Sequence, residues 1–187
     1  MAGRLVAACA LSLACATACA AEIAGVRLDD RVSVGGKDLV LNGAGIRTRA
    51  IFKVYVGSLY LPQKAATPLA VMELAPRRVQ LNLLRDLTAQ QFVDALMEGM
   101  QDNNPPEDLR AIKPQMDELV RIMQAIGQAK EGSIIALDYV DGGTRITQDG
   151  APRGTIPGEA FNKALFRIWL GDRPAQADLK KAMLGGS

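Results

Sequence analysis

The apolar residues of this chain change their spacing along its length, and the order of those changes leaves few folds open. Between Ile23 and Leu84 they mostly alternate with polar ones, the period-two mark of strands that bury one face. Ile23 to Val34 alternates, Gly35-Gly36 makes a turn, and Asp38 to Leu41 resumes. Ile46 to Leu61 is expected to be one long strand-like run ended by Pro62. Its even positions, among them Ile46, Phe52, Val54, Val56 and Tyr60, would form the core face; the odd ones, Arg47, Arg49, Lys53 and Tyr55, a mixed face. Arg78 to Leu84 is a further strand. From Thr88 the spacing becomes three and four. Thr88 with Gln91 forms a capping box, and Phe92, Val93, Leu96 and Met100 make one stripe. Asn104-Pro105-Pro106 opens a second helix, which Pro114 should kink or split. Ser133 to Val140 is again a strand, with turns at Asp141-Gly142-Gly143-Thr144 and Asp149-Gly150. A helix carrying Phe161, Leu165, Ile168 and Trp169 and a short one from Gln176 to Leu184 complete the pattern. Strands, then helices, then a hairpin and helices indicate an α+β fold, with helices covering one face of a mainly antiparallel sheet.

The three cysteines, Cys9, Cys15 and Cys19, all lie in the first twenty residues, and there is no histidine. Those twenty residues read as a signal peptide. Arg4 supplies the positive end, Leu5 to Ala18 is an uncharged apolar run, and small residues lead to a cleavage site near Ala18-Cys19-Ala20 or Ala20-Ala21. The run is too short for a bilayer-spanning helix, which needs ~20 apolar residues. The expectation is export to the periplasm as a soluble product, with residues 21–187 forming a single domain and no transmembrane segment in the mature form. That domain would contain neither thiol nor imidazole. Disulfides, Cys or His zinc sites, thiol nucleophiles and Ser-His-Asp triads are thereby excluded, and no cofactor or metal is called for. Basic and acidic residues nearly balance, at 22 and 20, and no basic stripe suited to nucleic acid is visible. Arg77-Arg78 and Lys180-Lys181 read as solvated surface pairs.

Several segments in order resemble one known family. Asn42-Gly43-Ala44-Gly45-Ile46-Arg47-Thr48, followed by Phe52-Lys53-Val54-Tyr55-Val56-Gly57-Ser58-Leu59-Tyr60-Leu61, is similar to the signature of chalcone isomerase-like proteins. Ile156-Pro157-Gly158-Glu159-Ala160-Phe161, Ile168-Trp169-Leu170-Gly171-Asp172-Arg173-Pro174 and Asp178-Leu179-Lys180-Lys181 resemble the end of its bacterial exported branch; Leu84-Arg85-Asp86 with Gln91-Phe92 resembles its middle. The resemblance implies an open-faced β-sandwich, a large antiparallel sheet backed by a helical layer.

It also implies a choice between two classes. The plant enzymes close chalcones into flavanones with an arginine and a polar network, whereas fatty-acid-binding relatives hold a carboxylate with an arginine and a tyrosine. Arg47 stands where both classes have their arginine. The enzyme's other polar positions fall on Phe92, Gly99, Tyr55 and Ile168, and three of these cannot hydrogen-bond through a side chain. The binding pair matches in type and order as Arg47 and Tyr55. The expectation is therefore a non-catalytic protein, with no catalytic residues assigned, that binds a fatty acid or similar amphipathic anion through Arg47 and Tyr55. The alternatives are an isomerase or intramolecular lyase on a small molecule and a ligand-free scaffold or interaction protein. In a straight strand Arg47 and Tyr55 would stand ~26 Å apart, so the chain must bend or reverse between them, and Arg49 is the alternative arginine. The alternative role for Arg47 is an ion pair with Asp86 or Glu98 that holds sheet to helix.

Overall fold

A computed structural model describes residues 21–186; the segment read as a signal peptide lies outside the described residues. The chain begins with a small hairpin of β1 (Ala21–Ile23) and β2 (Val26–Leu28) and continues through β3 (Arg31–Val34), β4 (Lys37–Arg49) and β5 (Phe52–Leu61). Helix α1 (Pro68–Glu73) leads to β6 (Arg77–Leu83). The two-residue strand β7 (Leu87–Thr88) then precedes the helices α2 (Ala89–Asn103), α3 (Pro106–Ala111) and α4 (Lys113–Ile126), and β8 (Gln128–Ala129) returns to pair with β7. Strands β9 (Ile134–Val140), β10 (Gly143–Gln148) and β11 (Ala151–Pro157) are followed by α5 (Glu159–Leu170) and α6 (Ala177–Met183).

Seven strands form one antiparallel sheet in the order β11-β10-β9-β6-β5-β4-β3. Strands β6 and β9 are neighbours, so the whole run α2–α4 is an excursion from the sheet that returns to the adjacent position. That excursion, with α5 and α6, covers one face. This is the α+β architecture expected, a curled sheet backed by helices.

Local chemistry sets the element ends. The Thr88 side chain accepts from the Gln91 N–H while the Gln91 side chain accepts from the Thr88 N–H, the reciprocal cap expected for α2. Pro114 divides the next helical run at Ile112 into α3 and α4. Asp141-Gly142 and Asp149-Gly150 turn with positive φ at both residues, the geometry that suits tight hairpins.

The core lies between sheet and helices. Leu59, Val79, Leu137 and Ile146 are registered across four strands and meet Leu96, Met100, Phe161, Leu165 and Trp169 from the helices. Burying each such side chain contributes ~1.5–3 kcal/mol. The core face of β5 is thus the odd one, Tyr55, Gly57, Leu59 and Leu61. This corrects the expected even-numbered face. Val56, Ser58 and Tyr60 point to the other side, where Tyr60 joins Val34, Leu39 and Val140 in a small second cluster.

Arg77 and Arg78 are not a solvated pair. Neighbours on a strand face opposite sides, so Arg77 turns inward, only 1% exposed. Its Nε donates to Asn162 Oδ1 at 2.9 Å and its Nη1 to the carbonyls of Met72 and Leu74, and it lies over the Tyr139 ring. Arg78 faces outward and is held by Asp138 through two bonds of 2.6 and 2.8 Å.

Helix α6 rests on a patch of sheet without side chains. Gly45 and Gly57 are directly opposed in register, and Gly43 lies one pair further on the same face. A Cβ at Gly43 would collide with the Ala182 carbonyl, and one at Gly45 would stand 2.9 Å from Ala182 Cβ. The backbone must therefore be bare for α6 to seat. Gly43→Ala is expected to destabilise the fold by ~1–3 kcal/mol, read as a lower urea midpoint; an unchanged midpoint would mean α6 seats elsewhere.

Candidate functional site

The expected single strand from Ile46 to Leu61 is two strands. Ala50 and Ile51 form a tight turn between β4 and β5, with Ala50 in the left-handed region at φ 53°. The chain therefore reverses just where Arg47 and Tyr55 need it to. The two are direct cross-strand partners, so their Cβ atoms are separated by ~5 Å and not by ~26 Å. A register shift beside Arg47/Thr48 marks a bulge next to the pair, a place where strands commonly re-aim side chains.

Arg47 is half-buried. Its Nη1 donates to the Thr48 carbonyl at 2.8 Å and to Gln176 Oε1 at 3.5 Å; the same Gln176 oxygen accepts from the Thr48 N–H at 2.8 Å. Gln176 stands at the N-terminus of α6, so the glycine seat of that helix also fixes the arginine. Neither Asp86 nor Glu98 takes it up. Asp86 instead accepts from Lys130, Gln128 and the Glu131 N–H, and among the described residues no carboxylate lies within ion-pair distance of Arg47. Arg49 is exposed at the hairpin end, and Lys53 is exposed beside it.

Tyr55 receives a hydrogen bond from Trp169 Nε1 at 2.9 Å. That bond occupies a lone pair of the hydroxyl and leaves its O–H free to donate. Burial pushes the Tyr55 hydroxyl above the usual tyrosine range, against smaller downward pulls from the Trp169 bond and the Arg47 charge. Burial also raises Tyr60. Both hydroxyls thus stay protonated and neutral at physiological pH. In the unfolded chain a tyrosine loses its proton near pH ~10. Above that pH the folded state still holds protons that the unfolded state has released, so stability falls as pH rises. Urea midpoints are expected to drop between about pH 9 and about pH 11, less steeply in Tyr55→Phe; equal slopes would contradict the burial of this hydroxyl.

The pair opens into a cleft of about 420 Å³ between sheet and helices, within the ~300–1,000 Å³ common for small-molecule sites. Val54, Tyr55 and Leu81 form its sheet wall, Phe92, Ala95, Leu96 and Gly99 its α2 wall, and Ile168 and Trp169 its α5 wall. Arg49, Phe52, Arg85, Glu98 and Asp102 are exposed residues around the rim. Apolar residues make up most of the lining, and Arg47, Tyr55, Gln91 and Arg173 add polar groups, the last two exposed. Phe92, Gly99 and Ile168, where the resemblance puts polar residues of the plant enzymes, all line this cleft. Gly99 is closely covered by Ile168, since a Cβ there would lie 2.8 Å from Ile168 Cγ2.

Sequence reasoning did not single out Gln176, whose only mark is its place before a short helix. It placed Trp169 on an apolar helical stripe but could not show its bond to Tyr55.

A curled antiparallel sheet and a helical layer enclose a largely apolar cleft, and an arginine and a tyrosine paired across two strands help to line it. The model of the chalcone isomerase-like family matches residues 20–185, and the chain belongs to that family. No curated protein matches the sequence. Among solved structures, a fatty-acid binding protein of Arabidopsis thaliana is similar with a TM-score of 0.67 at 12% identity, over 86% of this chain and 92% of that one. At that identity the likeness speaks to the fold.

Proposed function

We propose that this protein binds a fatty acid or a similar amphipathic anion in the cleft, that Arg47 and Tyr55 hold its carboxylate, and that no reaction follows. The observation that carries the reading is the cross-strand pairing of Arg47 with Tyr55 in the lining of a largely apolar cleft. An arginine half out of water without a carboxylate partner favours an anion, and a planar guanidinium suits a carboxylate. The Tyr55 O–H adds a donor without adding a second charge. Behind them Phe92, Leu96, Ile168 and Trp169 offer apolar wall to an acyl chain, worth ~0.8 kcal/mol per methylene buried. The fatty-acid binding protein of the same fold supports this reading. Phe92, Gly99 and Ile168 supply no side chain to orient a reacting group, which favours binding over isomerisation.

The reading includes export, with the ligand met in the periplasm, on the strength of the first twenty residues of the sequence. The test is native mass spectrometry of protein taken from the periplasmic fraction without detergent, with palmitate titrated into the delipidated sample. An added mass of acyl size, restored by palmitate, supports it. A bare protein that takes up no palmitate overturns it.

A further inference from the structure

The β4–β5 turn is unusual in what it shows to solvent. Hairpin tips are ordinarily built from Gly, Asn, Asp and other polar residues; this one presents Ile51, 86% exposed, and Phe52, 55% exposed, side by side. Cations surround them. Arg49 is registered opposite Phe52, Lys53 follows it, and the Arg85 guanidinium lies over the Phe52 ring, 4.8 Å from its centre. Among the described residues none of these three cations is in an ion pair. Arg49, Phe52 and Arg85 also stand on the rim of the cleft.

We propose that this tip is a membrane-contact element: Ile51 and Phe52 enter the headgroup layer of an anionic phospholipid surface while Arg49, Lys53 and Arg85 meet its phosphates. The purpose, exchange of an acyl ligand through the adjoining mouth, rests on the lipid-binding reading; the contact itself does not. The chemistry fits a lipid surface better than a protein. Two apolar side chains at a narrow tip fall well short of the ~1,000 Å² that a specific protein interface buries. Interfacial lipid binding needs only modest apolar insertion together with basic charge. The acids of the rim, Glu98 and Asp102, stand on α2 and not on the hairpin. The docking edge is therefore the hairpin side.

The test is co-sedimentation of the purified protein with vesicles of phosphatidylcholine containing phosphatidylglycerol, beside vesicles of phosphatidylcholine alone. The wild type should partition onto the anionic vesicles and release as salt rises from about 0.1 M to about 0.5 M. Ile51→Asp should lower that partition roughly tenfold or more, since it removes an inserted group and opposes the cations. Ile51 does not line the cleft and is exposed, so the variant should fold and still bind palmitate. Leu69→Asp is the control. Leu69 is also exposed, at 73%, but lies in α1 beyond the opposite end of β5, and its replacement should change nothing.

A wild type that ignores anionic vesicles, or an Ile51→Asp variant that binds them as well as the wild type, overturns the proposal. So does a dimer in gel filtration that Ile51→Asp abolishes without any vesicle binding, which would make the tip a contact between copies. Palmitate titration of the same samples separates the two readings. A chain that binds palmitate but not vesicles overturns the tip alone; one that binds vesicles but not palmitate overturns the cleft reading and leaves the tip standing.

Discussion

Arg47→Ala should bind palmitate about 10- to 100-fold more weakly than the wild type in a calorimetric titration of delipidated protein. A hydrogen bond to a charged group is worth ~1.5–3 kcal/mol, and each ~1.4 kcal/mol is tenfold in affinity. The loss should appear with little change in stability. Arg47 bonds only the Thr48 carbonyl and Gln176 among the described residues, and Gln176 retains its bond from the Thr48 N–H. Tyr55→Phe should cost less, several-fold, because it removes one neutral donor worth ~0.5–1.5 kcal/mol. The discriminating ligand is the methyl ester of palmitate, which keeps the chain and loses the charge. It should bind wild type and Arg47→Ala about equally. An Arg47→Ala affinity for palmitate within about twofold of the wild type would remove the arginine from the site.

The second large effect falls on stability. Trp169→Ala should destabilise the fold by ~3–5 kcal/mol, the range for emptying a large aromatic from a core. For a domain of this size that is a fall in melting temperature of roughly 6–20 °C. Trp169 is among the largest fully buried side chains and packs within the main core while forming part of the cleft wall. Trp169→Phe should recover most of the packing but not the bond to Tyr55, so it separates the two roles. Thermal unfolding followed by far-ultraviolet circular dichroism decides the matter. A Trp169→Ala melt within about 2 °C of the wild type would mean the core closes without it.

The fold was legible because its signals are local. The apolar run of β9, the capping box of α2, Pro114 within the helical run and the Asp-Gly turns each act within a few residues, and each stands where the pattern placed it. The Ala50-Ile51 turn was not legible. Neither residue is among those that favour positive φ, so nothing distinguished a reversal from a continuous strand. The core face was inverted for another reason: both faces of β5 are buried, so an apolar even face did not identify the side that meets the helices. Tyr55 and Leu59 belong to the helix side, and Tyr60 belongs to the second cluster on the other. The arginine and tyrosine could be named from the resemblance, but their adjacency depends on that reversal. Arg77 was hidden for a related reason: a charged residue is ordinarily read as exposed, and its partners Asn162, Met72 and Leu74 come from helices and a loop that sequence alone does not bring together.

The seating of α6 on bare backbone has a consequence in time. Arg47 and its oxygen partner on Gln176 are separated by 129 positions, and Gln176 is brought to the arginine by a helix that rests on Gly43, Gly45 and Gly57. During synthesis from the amino end, the hairpin carrying Arg47 and Tyr55 emerges early, while the group that orients the arginine emerges much later. Until then the guanidinium lacks the Gln176 contact and has only its local partner, the Thr48 carbonyl. The orientation that Arg47 has in the folded chain is thus a late event, completed only when the carboxyl-terminal helix docks.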